Sequence, residues 1–321
     1  SVLFKHKVRE SIAYFSAKGK LTRLDAWVYN RGDDGDLSQQ KYELFYRELI
    51  KDLEDYFAAG KPKRKPVDGA VRNEAYLFPV QAKCEVKLQV GYKKRPYRAD
   101  FLNLILNNHD KRVDRLSGSV VKSFVNKSKD GDILIDRIPM IDQGPKGYCV
   151  PATLARIGQH VGVDISMHEI AMIANSSSGG GTSVGAAVAS LKKNYARIQL
   201  KIKDIRIKNP INAYTSNASV AKQAFDELEY DDRSVASFFK EVKKQIDKGQ
   251  IIAWSMVVGL LPENGQPARQ SGGGHMRMII GYNEKSREIL FSDSWGSGHE
   301  LKRIDLKAAL IVSSGIYQIV P

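Results

Sequence analysis

Apolar residues recur at helical spacing over residues 37–59, "LSQQKYELFYRELIKDLEDYFAA", where Leu37, Leu44, Phe45, Leu49, Leu53 and Phe57 share one face. Ser38 stands at the N-cap position, and Gly60 and Pro62 follow the end. Around this helix the pattern turns strand-like, in "LDAWVYN" (24–30), "EAYLFPV" (74–80), "CEVKLQVGY" (84–92) and "YRADFLNLILN" (97–107). Residues ahead of 24 are mixed. These runs predict a small antiparallel sheet with one amphipathic helix. "SKDGD" (128–132) is a turn ahead of the apolar run "ILIDRIPMI" (133–141).

Beyond residue 149 the texture changes. Helical patterns cover 149–161, 167–175, 183–195, 217–229 and 234–248, with "SMHE" (166–169) a capping box opening the second. Strand-like runs follow at 251–259, 275–283, 288–295 and 313–320. Helices first and strands later predict an α+β domain built on an antiparallel sheet. The chain is thus expected to hold two domains, a smaller α+β domain over 1–135 and a second over 136–321. Between the strand-like runs 251–259 and 275–283, the segment "LLPENGQPARQSGGG" (260–274) is rich in proline and glycine, and is expected to be a mobile flap rimming the site that follows it.

The chain has 321 residues and a net charge of +14, with more of the excess over 1–140 than over 141–321. Such a balance suits an anionic partner. The densest basic run, "KPKRKP" (61–66), is nonetheless short and proline-broken, and no nucleic-acid motif surrounds it. No specific nucleic-acid partner is expected. No run of apolar residues is long enough to cross a membrane as a helix, and "SVLFKHKVRESIAYF" has no signal-peptide pattern. "RGD" (31–33) is too short a string to carry meaning. "DGDLS" (34–38) resembles half of a calcium loop but places Lys41 where the bidentate acid belongs, so a turn and N-cap are expected there.

The two cysteines, Cys84 and Cys149, make neither a disulfide framework nor a zinc site. Cys84 lies in an alternating strand-like run and reads as a small apolar filler. Cys149 opens the helical run "CVPATLARIGQHVG", with Pro151 in its first turn, where a missing N–H costs nothing. A thiolate at a helix N-terminus is stabilised by free N–H groups and by the dipole. Of the histidines His6, His109, His160, His168, His275 and His299, only His275 opens an apolar strand after a glycine run, "SGGGHMRMIIGYN". Asp293, in "LFSDSWG", lies on the next strand-like run and suits the third role, orienting the imidazole. The Gln143 amide, with the Cys149 backbone N–H, suits an oxyanion donor.

With Gln143 six residues ahead of "CVPAT", a histidine strand and "SDSWG", the sequence resembles the papain-fold cysteine peptidases, in particular the C39-like group, over roughly 138–321. Val150 stands where that group has glycine, and Asp293 where papain-type enzymes have asparagine. The resemblance implies a papain-like domain with Cys149 as nucleophile, His275 as acid and base, Asp293 as orienter and Gln143 as oxyanion donor. It implies hydrolysis of peptide or isopeptide bonds through a thioester, with a peptide or protein as substrate and neither cofactor nor metal. "VYNRGDDGDLS" and "YRADFLNLIL" resemble segments upstream of C39-like domains in some exported bacterial proteins, which points to a periplasmic or extracellular setting. The alternatives are an acyl transferase or deamidase on the same fold, an inactive papain-fold binding module and a nucleic-acid binder. The sequence specifies no oligomeric state.

Overall fold

The computed structural model describes all residues except 1, 16–17, 58–59, 66–70, 80–83, 109–114, 178–179, 212–216 and 264–272. Most of the expected flap, and His109, therefore lie outside the described residues. Internal contacts divide the chain into two units: Ser1–Val113 with Pro145–Gly147 and Ala171–Gly181, and Asp114–Gly144 with Tyr148–Ile170 and Thr182–Pro321.

The first unit is built on a six-stranded antiparallel sheet in the order Glu10–Phe15, Leu21–Asn30, Tyr97–Asn108, Cys84–Lys94, Val71–Phe78 and Lys63–Lys65. The helix Gln39–Tyr56 begins at Ser38, whose hydroxyl accepts from the Lys41 N–H. Its Tyr42, Leu49 and Leu53 enter a core with Val86, Leu88, Val90, Leu102 and Leu104. The strand Glu10–Phe15 lies in the stretch that periodicity left mixed. It is short and only half-buried, so its alternation is muted.

The "RGD" string forms the short helix Arg31–Asp34, in which Arg31 is buried and ion-paired with Asp100 at 3.4 Å. Asp33 accepts from Lys146 at 3.0 Å and Asp34 pairs with Arg9. Both carboxylates are thus engaged by cations. Cys84 is half-buried and packs against the same core.

The second unit carries an eight-stranded sheet. Its main path runs Lys201–Ile205, Ser313–Val320, Ile252–Val258, Gly273–Asn283, Asp132–Ile135, Val125–Lys127, and Glu288–Ser292 joins Gly273–Asn283 to Lys302–Asp305. All of these pairings are antiparallel. The helices Cys149–His160 and Arg233–Ile246 lie against the strand Gly273–Asn283. Every residue of Ile252–Val258 is buried, so both faces of that strand are covered. This is a helix-on-antiparallel-sheet α+β architecture.

One sequence expectation differs from this arrangement. The division at 135/136 separates two paired strands: Asp132–Ile135 pairs with Gly273–Asn283, and internal contacts group Asp114–Gly144 with the second unit. The apolar run 133–141 is strand only to Ile135. Beyond it Pro139 has no N–H to give a ladder, and its carbonyl accepts from Arg156 at 2.8 Å. The capping box forms as expected, Ser166 N–H to the Glu169 carboxylate at 3.2 Å and Glu169 N–H to the Ser166 hydroxyl at 3.1 Å.

Candidate active site

Cys149 is the first residue of the helix Cys149–His160, and no side chain caps that helix. Its orphan N–H groups are therefore directed at whatever lies ahead of the first turn. The groups that act on the sulfur are the His275 side chain and the backbone N–H groups of Val150 and Met276. Burial alone would push the thiol up. The His275 hydrogen bond and charge, with the two backbone donors, outweigh it and hold the thiol below the ordinary cysteine value. The Thr153 hydroxyl, one turn on, donates to the Met276 carbonyl at 3.2 Å and ties the helix to the histidine strand.

His275 stands near the start of the strand Gly273–Asn283 and is 8 % exposed. Its Nε2 lies 2.7 Å from Asp293 Oδ1, which leaves Nδ1 for the thiol. The indole of Trp295 stacks on the ring, with centroids 4.8 Å apart and planes 23° apart. Burial lowers the imidazole's pKa, but the hydrogen bonds to Asp293 and Cys149 and their charges more than offset this and raise it to about 9. The raised imidazole and the lowered thiol describe one coupled pair, thiolate with imidazolium.

Asp293 is fully buried. It lies one residue past the strand Glu288–Ser292, where sequence placed it on the strand itself. Oδ1 accepts from His275 and from the Ser294 N–H at 2.9 Å, and Oδ2 accepts from Arg277 Nε at 2.8 Å. Burial raises its pKa, but His275, Arg277 and Lys302 together bring it below the ordinary value, so it stays a carboxylate. The turn that follows needs Gly296: its φ is 84°, and an added Cβ would sit 2.8 Å from the Asp142 carboxylate.

Gln143 is fastened to this turn. Its N–H donates to the Ser294 carbonyl at 2.8 Å, and its Oε1 accepts from the Ser294 hydroxyl at 2.7 Å. Fixing Oε1 sets the orientation of the amide and makes its NH2 the end that can serve as a donor elsewhere.

The structure thus brings Cys149, His275 and Asp293 into one connected group and fastens Gln143 to the residue next to Asp293. Of the other described histidines only His299 adjoins it, through Trp295. His6 bonds Asp52 at 3.1 Å, and buried His160 bonds the Arg137 carbonyl at 3.2 Å. His168 is buried against Tyr148, and His299 packs against the edge of Trp295.

Sequence reasoning missed the charged residues beneath the site. Arg156, on the nucleophile's helix, donates to the Asp293 main-chain carbonyl and to the Ser292 hydroxyl. Arg277 and Lys302 flank the Asp293 carboxylate, and Glu263 pairs with both of them. Arg156 and Arg277 each interrupt an otherwise apolar run, "ATLARIG" and "HMRMII". A charge inside such a run is the signal that could have found them, because a buried charge needs a partner.

The sequence model of the Peptidase C39-like family matches residues 135–313, and the chain belongs to that family. No curated protein matches the chain. Among solved structures, xylellain, a cysteine protease from Xylella fastidiosa, is similar over 62 % of this chain and 88 % of its own, at 14 % identity and a TM-score of 0.33. No helix among the described residues is long and apolar enough to cross a membrane.

Proposed function

We propose that this protein is a cysteine peptidase that hydrolyses peptide or isopeptide bonds, with Cys149 as nucleophile, His275 as acid and base, Asp293 as orienter and Gln143 as oxyanion donor. The observation that carries this reading is the position of one imidazole, hydrogen-bonded through one edge to a buried carboxylate and acting through its charge on a thiol at a helix N-terminus.

The Cys149 thiolate adds to the substrate carbonyl, forming the Sγ–C bond. The oxyanion is held by the Cys149 N–H and the Gln143 amide. As the intermediate collapses the C–N bond breaks, and His275 delivers its proton to the departing amine. Water then enters, and neutral His275 takes a proton from it as the oxygen adds to the thioester carbon. The C–S bond breaks, releasing the acid and restoring thiolate and imidazolium. Asp293 keeps the imidazole in the tautomer and orientation that both transfers need. No step draws on a cofactor.

The test is digestion of a proteome-derived peptide library by the protein and by Cys149→Ala, with new termini mapped by mass spectrometry. The expected result is cleavage by the first and none by the second. A parallel digestion with an added primary amine separates hydrolysis from acyl transfer, since a transferase would yield amidated products in place of free acids.

A further inference from the structure

We propose that Glu263 is a positioning residue for the Cys149–His275 pair, acting through Arg277 and Lys302 on the Asp293 carboxylate; this rests on the peptidase reading above and extends its site beyond the triad. The two oxygens of Asp293 have different partners. Oδ1 serves His275, while Oδ2 carries Arg277 Nε at 2.8 Å and Lys302 Nζ at 3.8 Å. Two fixed cations therefore share the carboxylate that has to stabilise a third, the imidazolium. Left alone, they would spend its charge on themselves and repel the protonated ring.

Glu263 answers both of them. Its Oε2 accepts from Arg277 Nη1 at 2.6 Å and its Oε1 from Nη2 at 3.2 Å, and Oε1 lies 3.8 Å from Lys302 Nζ. The Arg277 and Lys302 side chains are 0 % exposed and that of Glu263 is 12 % exposed. Two carboxylates and two cations thus balance in a buried set. The set reaches the imidazole by a second route, because Lys302 Nζ lies 4.7 Å from the centre of the Trp295 ring that stacks on His275, and Arg277 lies 5.2 Å from it. Glu263 is five residues beyond the strand Ile252–Val258, so it comes from a part of the chain that supplies no triad residue. Orienting the ring needs only one carboxylate oxygen. A neutralised four-charge set does more, because it fixes the potential in which the thiolate and imidazolium form.

The titratable and charged groups around the pair come from several elements. They are Arg156 on the nucleophile's helix, Arg277 on the histidine strand, Asp293, His299 and Glu300 on the turn after Ser292, Lys302 on the last short strand, and Glu263. Removing the negative charge of Glu263 makes the site more positive. That favours the thiolate and disfavours the imidazolium, so both groups titrate at lower pH. Removing the positive charge of Lys302 does the reverse.

The experiment measures the rate of Cys149 alkylation by iodoacetamide across pH in the full chain, read by peptide mass mapping so that Cys84 does not contribute. It needs no substrate. The variants are Glu263→Gln, Glu263→Asp and Lys302→Met, with circular dichroism to confirm folding. Both inflections are expected to fall by about half a pH unit or more in Glu263→Gln and to rise by a similar amount in Lys302→Met, while Glu263→Asp keeps the unsubstituted profile. A Glu263→Gln profile that superimposes on the unsubstituted one overturns the inference. So does a shift in the same direction in both charge-removing variants, since that is the mark of loosened structure. If Glu263→Gln does not fold, the sign of the Lys302→Met shift decides. A single ordinary thiol inflection in the unsubstituted chain, unaltered by His275→Ala, defeats the peptidase reading itself and is distinguishable from all of these.

Discussion

Arg156, on the helix that Cys149 opens, donates through its guanidinium to the main-chain carbonyl of Asp293. The element that carries the thiol therefore also holds the segment that carries the carboxylate. The same guanidinium takes the Ser292 hydroxyl at 2.7 Å and the Pro139 carbonyl at 2.8 Å, and Arg156 is 1 % exposed. One buried cation satisfies two main-chain carbonyls and a hydroxyl on two separate stretches of the chain.

Arg156→Met is accordingly expected to destabilise the fold by about 3 kcal/mol or more, since it leaves buried acceptors unsatisfied. Chemical denaturation reads this as a lowered midpoint. An unchanged midpoint would show that the guanidinium contributes nothing net to stability.

His275→Ala removes the group that both deprotonates and protonates. A fall in kcat of about 10²–10⁴-fold is expected, with slower alkylation of Cys149 at neutral pH, measured on the same preparation. Asp293→Asn keeps the shape but removes the charge that raises the imidazole, so the alkaline limb of its activity profile is expected to move to lower pH.

Gln143→Ala is expected to lower kcat by about 10²–10³-fold with little change in KM, because an oxyanion donor acts on the charge formed in the transition state. Steady-state kinetics on one peptide substrate separate the two constants. A change confined to KM would assign Gln143 to substrate binding.

The pH profile of kcat/KM follows from the coupled pair. The thiolate forms as pH rises through the Cys149 value, which lies below that of an ordinary thiol, so activity is gained earlier than a free cysteine would allow. The imidazolium is lost as pH rises through about 9, so activity declines there. A bell between those limits is expected. A rise that follows ordinary cysteine ionisation, with no alkaline decline, would contradict it.

The elements with strong local signals were legible in the sequence. The helix Gln39–Tyr56 showed its apolar stripe and its Ser38 cap, and the box of Ser166 and Glu169 marked the next helix start. The strands Glu10–Phe15 and Lys201–Ile205 were not legible, because their faces are largely exposed and the alternation is weak. Cys149 and His275 could be picked out because one opens a helix and the other stands near the start of a strand. Arg277, Lys302 and Glu263 could not be joined to Asp293, because their meeting depends on three strands and a connection whose register no local pattern encodes.

The central claim is that peptide-bond cleavage proceeds through a thioester on Cys149. Acid-quenching the protein during turnover of a cleaved peptide, then measuring intact and peptide-mapped masses, tests it most directly. The account predicts a hydroxylamine-sensitive acyl adduct on Cys149, absent from Cys84 and from Cys149→Ala, which also fails to cleave. Turnover without such an adduct, with cleavage persisting in Cys149→Ala, would contradict it.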